Sequence, residues 1–332
     1  MPAQTIPFDE FKVIDAHCDA LLAVIGKSQI PGDTGRRDFL KDNSLGHVDL
    51  PKLLRGRVVC QFMALFAEDE DVPAANSYTH SLIDAFEEIC ERASGKLFKI
   101  LSRADLGKCA PGKKVGALLS IEGAEALNGK LEALDDFFSR GVRALGITWN
   151  RRNPFGRGLK AEGDDGLTDL GKQLVEKMED LGMIVDCSHL PDKAFWEVAD
   201  EAKKPFIASH SNAREVCDHP RNLTDAMIRA VAESGGAVGA VFVPSFISAA
   251  PTKSYLEHLC DHIDRIVGSG GMECAAIGSD FDGYRGVEGH ALADSSEFYA
   301  LGEALLKRGY SPADLQKIFY SNWARVIEEI LS

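Results

Sequence analysis

The feature that most limits what this chain can fold into is an eightfold alternation of short, β-branched apolar runs with longer stretches of helical period. The runs predict strands over residues 13–16, 58–66, 115–121, 142–149, 183–188, 206–209, 237–243 and 275–279. The stretches between predict helices over 77–92, 131–140, 168–181, 192–202, 224–234 and 255–267, and two more, 295–308 and 313–331, complete the shell. Thr168 or Asp169 stands as an N-cap before an apolar stripe at Leu170, Leu174, Met178 and Leu181, and Gly182 follows as the residue just past the helix end. Strands that are apolar at nearly every position must be buried on both faces, the condition of a parallel sheet covered by helices. An open, doubly wound sheet is the rival, but no Gly-x-Gly-x-x-Gly follows the first run, and eight units is the number that closes a barrel. The expected fold is therefore α/β: a TIM-like (β/α)8 barrel with extra C-terminal helices. No Ser/Gly/Pro-rich linker divides the chain, so residues 1–332 are expected to form one domain. The Gly- and charge-rich loop 25–48 is long enough to reach over the barrel mouth.

Composition narrows the partners. Acidic residues outnumber basic ones by 51 to 37, and nothing resembles the clustered positive footprint that phosphate binding needs, which argues against nucleic acid. The eight cysteines show no CxxC spacing, and Cys60, Cys187 and Cys274 sit inside strand-like runs, where a free thiol packs as a small apolar group. Met1–Thr5 lacks a basic and apolar leader pattern, no segment approaches the roughly 18 apolar residues of a membrane span, and residues 327–331 end an amphipathic helix without a hydrophobic tail. The expectation is a soluble, cytoplasmic protein with no membrane partner.

In such a barrel, chemistry sits where strands end at the C-terminal face. The first strand ends in His17-Cys18-Asp19, and residues two apart on an extended strand share a face, so an imidazole and a carboxylate can converge there. The third runs into Glu122-Gly123, the fifth into Asp186-Cys187-Ser188-His189, the sixth into Ser209-His210-Ser211-Asn212, and the eighth into Gly278-Ser279-Asp280-Phe281-Asp282-Gly283. Taken singly, Glu122 could cap a helix and His189 or His210 could be a satisfied core histidine. Taken together at one rim, His17, Asp19, Glu122, His189 and His210 form a ligand set for two divalent ions. Glu122 lies on a strand between the two clusters and can bridge them, with Gly123 allowing close approach. Asp280 would project into the same mouth as a proton shuttle, whereas Asp282 alternates away and reads as a turn or capping residue. Arg221, in His219-Pro220-Arg221-Asn222 on the loop after the sixth strand, could fork a substrate carboxylate or simply be a surface arginine. His80, His258 and His262 fall inside helices and read as structural, while His47 and His290 lie in loops without an assigned role.

With these residues in place the chain resembles the membrane (renal) dipeptidase family of zinc metallopeptidases, over essentially its whole length. The resemblance rests on Ile14-Asp15-Ala16-His17-Cys18-Asp19, Ser120-Ile121-Glu122-Gly123, Asp186-Cys187-Ser188-His189, Ser209-His210-Ser211-Asn212-Ala213-Arg214, His219-Pro220-Arg221-Asn222 and Gly278-Ser279-Asp280-Phe281-Asp282-Gly283. It implies that His17 and Asp19 hold one zinc, that His189 and His210 hold a second, and that Glu122 bridges the two Zn2+. It also implies that Asp280 is the catalytic acid/base and that Arg221 holds the C-terminal carboxylate of a dipeptide. The implied reaction is hydrolysis of free dipeptides by hydroxide generated at the metal pair, with an L- or D-residue accepted at the C-terminal position. Homodimers are common in the family.

The chain departs from the mammalian pattern after the fourth strand. A substrate-holding His is expected there, but this sequence reads Gly146-Ile147-Thr148-Trp149-Asn150, leaving Asn150 as the candidate substrate-binding and oxyanion donor. The alternatives are another amidohydrolase-like hydrolase on the same centre, such as a lactonase or deaminase, or a metal-binding homologue without catalysis. The former usually shows His-x-His on the first strand; against the latter, Asp280 and Arg221 are both present.

Overall fold

All eight expected strands form, and a ninth short one joins them. The computed structural model describes residues 10–284 and 290–331; Met1–Thr5, considered above for a leader pattern, lie outside the described residues. The strands are β1 (Val13–Asp15), β2 (Val58–Phe66), β3 (Leu97–Lys99), β4 (Val115–Glu122), β5 (Val142–Gly146), β6 (Ile184–Asp186), β7 (Phe206–Ile207), β8 (Val238–Ala240) and β9 (Ala275–Ile277). They are parallel, in the order β7-β6-β5-β4-β2-β1-β9-β8. A bridge between Ala208 and Val238 joins the two ends of that order, so the eight expected strands make a nearly closed TIM-like barrel. The added β3 lies beside the first half of β4, pairing Leu97 with Val115 and Lys99 with Ala117, before β5 takes over from Leu119 onward. Three residues, one of them a lysine, are too few for alternation to announce a strand.

Most observed strands stop short of the expected ends. β5 ends at Gly146 rather than 149, and β9 at Ile277 rather than 279. The residues that follow leave the ladder and turn polar groups over the barrel mouth. The helices form near their expected bounds: Thr168 accepts from the Gly171 N–H at 3.1 Å, and Gly182 takes the left-handed φ of 74° that ends the helix Asp169–Leu181. The last helix is not continuous. Pro312–Gln316 passes through a π-turn at Lys317–Ser321 into Asn322–Ile330. This break seats Asn322 and Trp323 on the barrel: Asn322 donates to the carbonyls of Met272 and Ala275, and Trp323 to that of Ile277, each at 2.8 Å.

Two apolar layers result. One lies between barrel and helices; the other, inside the barrel, contains Ile14, Phe62, Leu118, Ala144, Ile184, Ile207 and Trp323. The interior is thus packed with apolar side chains at one end, leaving the C-terminal mouth for polar groups. All eight cysteines are free thiols, and no helix among the described residues is long and apolar enough to cross a membrane.

Candidate metal centre

The interior layer fixes which residues reach the mouth. Strand alternation carries the inward face of β4 from Leu118 through Ser120 to Glu122, that of β6 from Ile184 to Asp186, and that of β7 from Ile207 to Ser209. His189 and His210 follow immediately. On the far side, β1 and β9 are tied together just below the rim. Asp15 accepts from both the backbone N–H and the hydroxyl of Ser279 at 2.7 Å, and the Asp280 N–H donates to the His17 carbonyl at 3.2 Å.

The five expected ligands come together. His17 Nε2 lies 3.4 Å from Asp19 Oδ2 and 3.5 Å from Glu122 Oε2. His189 Nε2 and His210 Nε2 lie 3.0 and 3.7 Å from Glu122 Oε1, and 2.9 Å from each other. Glu122 therefore turns one oxygen to each cluster. Asp280 Oδ1 is 3.9 Å from His17 Nε2, close enough to share the first cluster. Backbone strain gathers here as well. Of six described non-glycine residues with positive φ, three are His189 (67°), Asp280 (60°) and Asp282 (67°). Gly283 is required by space, since a Cβ would stand 2.2 Å from Asp19 Oδ2 and 2.3 Å from Asp280 Oδ1. Gly123, at φ 86°, has the same function beside Glu122, where a Cβ would meet Glu125.

The donor set fits a cation. His17 Nε2 and Asp19 Oδ1 are buried without a hydrogen-bond partner among the described residues, a costly arrangement unless something fills the gap. Burial opposes charge on His17, yet Glu122 and Asp19 raise its pKa well above the usual imidazole value. Burial alone would raise Glu122, but the His17 charge and hydrogen bond oppose it most and hold the carboxyl well below its ordinary range. His189 is lowered to about 3 by burial, with Arg221 adding to the effect, and burial likewise lowers His210, so both imidazoles are neutral. Burial keeps the Asp280 carboxyl well above its usual value despite the pull of His17. The neutral imidazoles of His189 and His210, the ionised Glu122 between the clusters and the unpartnered His17 Nε2 and Asp19 Oδ1 are donors of the kind a zinc-like ion binds. A cation arriving there would displace the proton that Glu122 and Asp19 favour on His17.

The rim surrounds a cavity of about 350 Å3, bordered by Phe66, Glu122, Trp149, Asn150, Phe246 and Asp280 among others. Asn150 Oδ1 faces His189 Nδ1 at 3.2 Å. Arg221 is buried just behind the cavity wall. Its Nη2 donates to the His210 carbonyl at 3.0 Å, its guanidinium lies 5.5 Å from the centre of the Phe246 ring, and its Nε–H has no partner among the described residues.

Asp282 points away from the cavity, as expected, but does more than cap a turn. It accepts from Arg37 Nη1 at 2.7 Å and from the backbone N–H groups of His47 and Val48 at 2.7 and 3.2 Å, clamping the 25–48 loop onto the turn that carries Asp280. His47, unassigned from sequence, accepts the Asp282 N–H at 2.9 Å. His262 proves structural, taking the Ala213 N–H at one ring nitrogen and facing the Ile247 carbonyl at the other. Sequence reasoning missed Asp15, Arg37, Asp186 and Ser209 as supports of the site. For Asp15, Asp186 and Ser209 the sequence signal was a charged or hydroxyl residue at the end of an apolar run; Arg37, in the 25–48 loop, had none.

Comparison with known proteins adds an independent line. The profile of the family described as membrane dipeptidase (peptidase family M19) matches residues 4–332. A metallopeptidase from Rhodobacter sphaeroides, solved with a phosphinate mimic of the dipeptide L-Ala-D-Ala, superposes with a TM-score of 0.85 at 27% identity, covering 96% of this chain and 99% of that one. An uncharacterised protein of the pqqA 5′ region in Klebsiella pneumoniae is 35% identical, over 74% of this chain and 93% of its own. A dipeptidase of Claviceps purpurea is 29% identical, over 86% of this chain and 69% of its own.

Proposed function

The chain belongs to the membrane dipeptidase family, peptidase family M19, as a dipeptide-hydrolysing metalloenzyme, and from that premise we propose that it cleaves free L,L and L,D dipeptides with two zinc ions. The observation that carries this reading is the split of Glu122. One carboxylate oxygen lies 3.5 Å from His17, and the other 3.0 Å from His189 and 3.7 Å from His210. A carboxylate with its oxygens splayed between two donor clusters suits a bridge between two ions.

His17 and Asp19 would hold one ion, His189 and His210 the other, and Glu122 both. The pair would act as Lewis acids on the scissile carbonyl and make an attacking water acidic near neutral pH. Asp280, on the cavity wall 3.9 Å from His17 Nε2, would as its carboxylate take a proton from the attacking water and pass it to the departing amine. Arg221 has an unsatisfied Nε–H and reaches the substrate's free carboxylate past Phe246, which limits the substrate to two residues. Asn150, on the cavity wall, offers its amide to the developing oxyanion. Trp149 and Phe66, ring centres 5.0 Å apart, form an apolar wall for substrate side chains.

The test is to count ions in the purified protein and assay it with added zinc on a panel of L,L and L,D dipeptides, free and C-terminally amidated. Two ions per chain and cleavage of the free dipeptides of both series are expected. Fewer than two ions, or equal cleavage of amidated substrates, would reject the dinuclear site or the carboxylate grip respectively.

A further inference from the structure

Behind the histidine pair lies a hydrogen-bond chain that the proposed mechanism does not use. Asp186 is buried at the end of β6, and its Oδ1 accepts two backbone N–H groups, those of Ser188 and Ser209, each at 2.9 Å. Its Oδ2 accepts the hydroxyl proton of Ser209. A serine hydroxyl has one proton to give. Having given it to Asp186, Ser209 Oγ can only accept from its other neighbours, His210 Nδ1 at 2.8 Å and the Ser188 hydroxyl at 3.3 Å, and its two lone pairs serve both. His210 must then carry its ring proton on Nδ1 and its lone pair on Nε2. The same logic holds one strand earlier. The Asn150 amide oxygen, 3.2 Å from His189 Nδ1, is an acceptor only, so that ring too is protonated on Nδ1. Both lone pairs face each other across 2.9 Å, beside the acceptor oxygen of Glu122. Three acceptors with no proton between them are mutually repulsive until a cation sits among them.

We propose that Asp186 and Ser209 are positioning residues, a carboxylate–hydroxyl–imidazole relay that fixes the tautomer of His210 and so preassembles the second ion site. This rests on the reading of His189 and His210 as ligands of that ion. Partners one step behind a metal ligand commonly control about 10–100-fold of metal affinity. The relay also makes a directional claim. In Asp186→Asn the amide oxygen must stay on the two backbone N–H groups, so the amide NH2 takes the place of Oδ2. It would donate to Ser209, turn the hydroxyl proton toward His210 Nδ1, and drive the ring proton onto Nε2, where it blocks the ion.

The experiment compares wild type, Ser209→Ala, Ser209→Thr, Asp186→Asn and, as a control, His210→Ala. Affinities of both zinc ions are read by competition with a chromophoric chelator. The His210 tautomer is read from 15N shifts in the metal-free protein, and the metal-free melting temperature is recorded. Ser209→Ala should weaken one ion about 10–100-fold and leave the other unchanged, with mixed tautomers at His210. Ser209→Thr should restore both readings, and Asp186→Asn should weaken the same ion at least as much as Ser209→Ala, with the ring proton on Nε2. Unchanged affinity in a folded Ser209→Ala, or equal loss at both ions accompanied by a lower metal-free melting temperature, overturns the relay in favour of a purely structural tie. If His210→Ala still binds two ions at wild-type affinity, the ligand reading itself fails and the relay with it.

Discussion

On the β1 side of the rim the candidate donors come from one strand end, His17 and Asp19 two residues apart. On the other side His189 and His210 come from different strands and meet only because Val185 pairs with Phe206. The electrostatics differ as well. His17 is raised by the charge of Glu122 and Asp19, whereas His189 and His210 are lowered by burial. The supports differ in range too. The β1 side is braced by the distant Asp282–Arg37 clamp over the 25–48 loop, and the histidine side by Asp186 and Ser209 on adjacent strands. One half would attract a cation by charge and the other by aimed lone pairs. Two physical routes thus lead to one centre, and each can be broken separately.

The largest effect is expected where the halves meet. Glu122→Gln removes charge from both, and should drop ion content below two per chain and lower turnover by about 10³-fold or more, the loss of several kcal/mol of charge stabilisation. Retention of two ions would mean that the halves bind independently. Breaking the brace of the first half alone should cost stability. Arg37→Met leaves the buried Asp282 carboxylate without its ion-pair partner, for about 3 kcal/mol in denaturant unfolding, with the histidine half still competent to bind an ion. A loss under about 0.5 kcal/mol, the usual size for a surface change, would show that the clamp is not what holds the loop.

Asp280→Asn should keep both ions and lose about 10²-fold in kcat, since it removes proton transfer from the first half without removing a donor assigned to either ion. Metal loss in that variant would instead make Asp280 a ligand of the first ion, a role its 3.9 Å approach to His17 permits. On the other side, Arg221→Met should raise KM about tenfold or more for free dipeptides and leave amidated ones unchanged, as expected for one charged hydrogen bond.

The smallest effect is a pH slope. Burial lowers His47 to about 4, so between its unfolded value near 6.5 and about 4 the unfolded chain binds a proton that the folded one does not. Stability from this group is complete above pH 6.5 and is lost as pH falls toward 4, at about 1 kcal/mol per pH unit. His47→Asn should flatten that limb of the stability curve; an unchanged slope would remove His47 from the acid sensitivity of the clamp.

Much of this was written locally in the chain. Eight apolar runs, each buried on both faces, specified a parallel sheet covered by helices, and their number, with no Gly-x-Gly-x-x-Gly after the first, favoured a closed barrel over a doubly wound sheet. His-x-Asp at residues 17 and 19 was legible because a period of two is an intrinsic property of an extended strand. Glu122, His189, His210 and Asp280 were legible as polar residues breaking out of apolar runs at the end where barrels place their chemistry. The three-residue β3, the π-turn at Lys317–Ser321 and the inward packing of Trp323 were not, since each exists only through a partner elsewhere in the chain. Asp186 looked like one more strand residue and Asp282 like a turn residue. Hydrogen bonds to residues 23 and 245 positions away gave them their roles. Spacing along a strand fixes which face a side chain takes. Which lone pair faces which proton is decided only when separate strands come into register, because a hydrogen bond's direction depends on every neighbour that competes for the same proton.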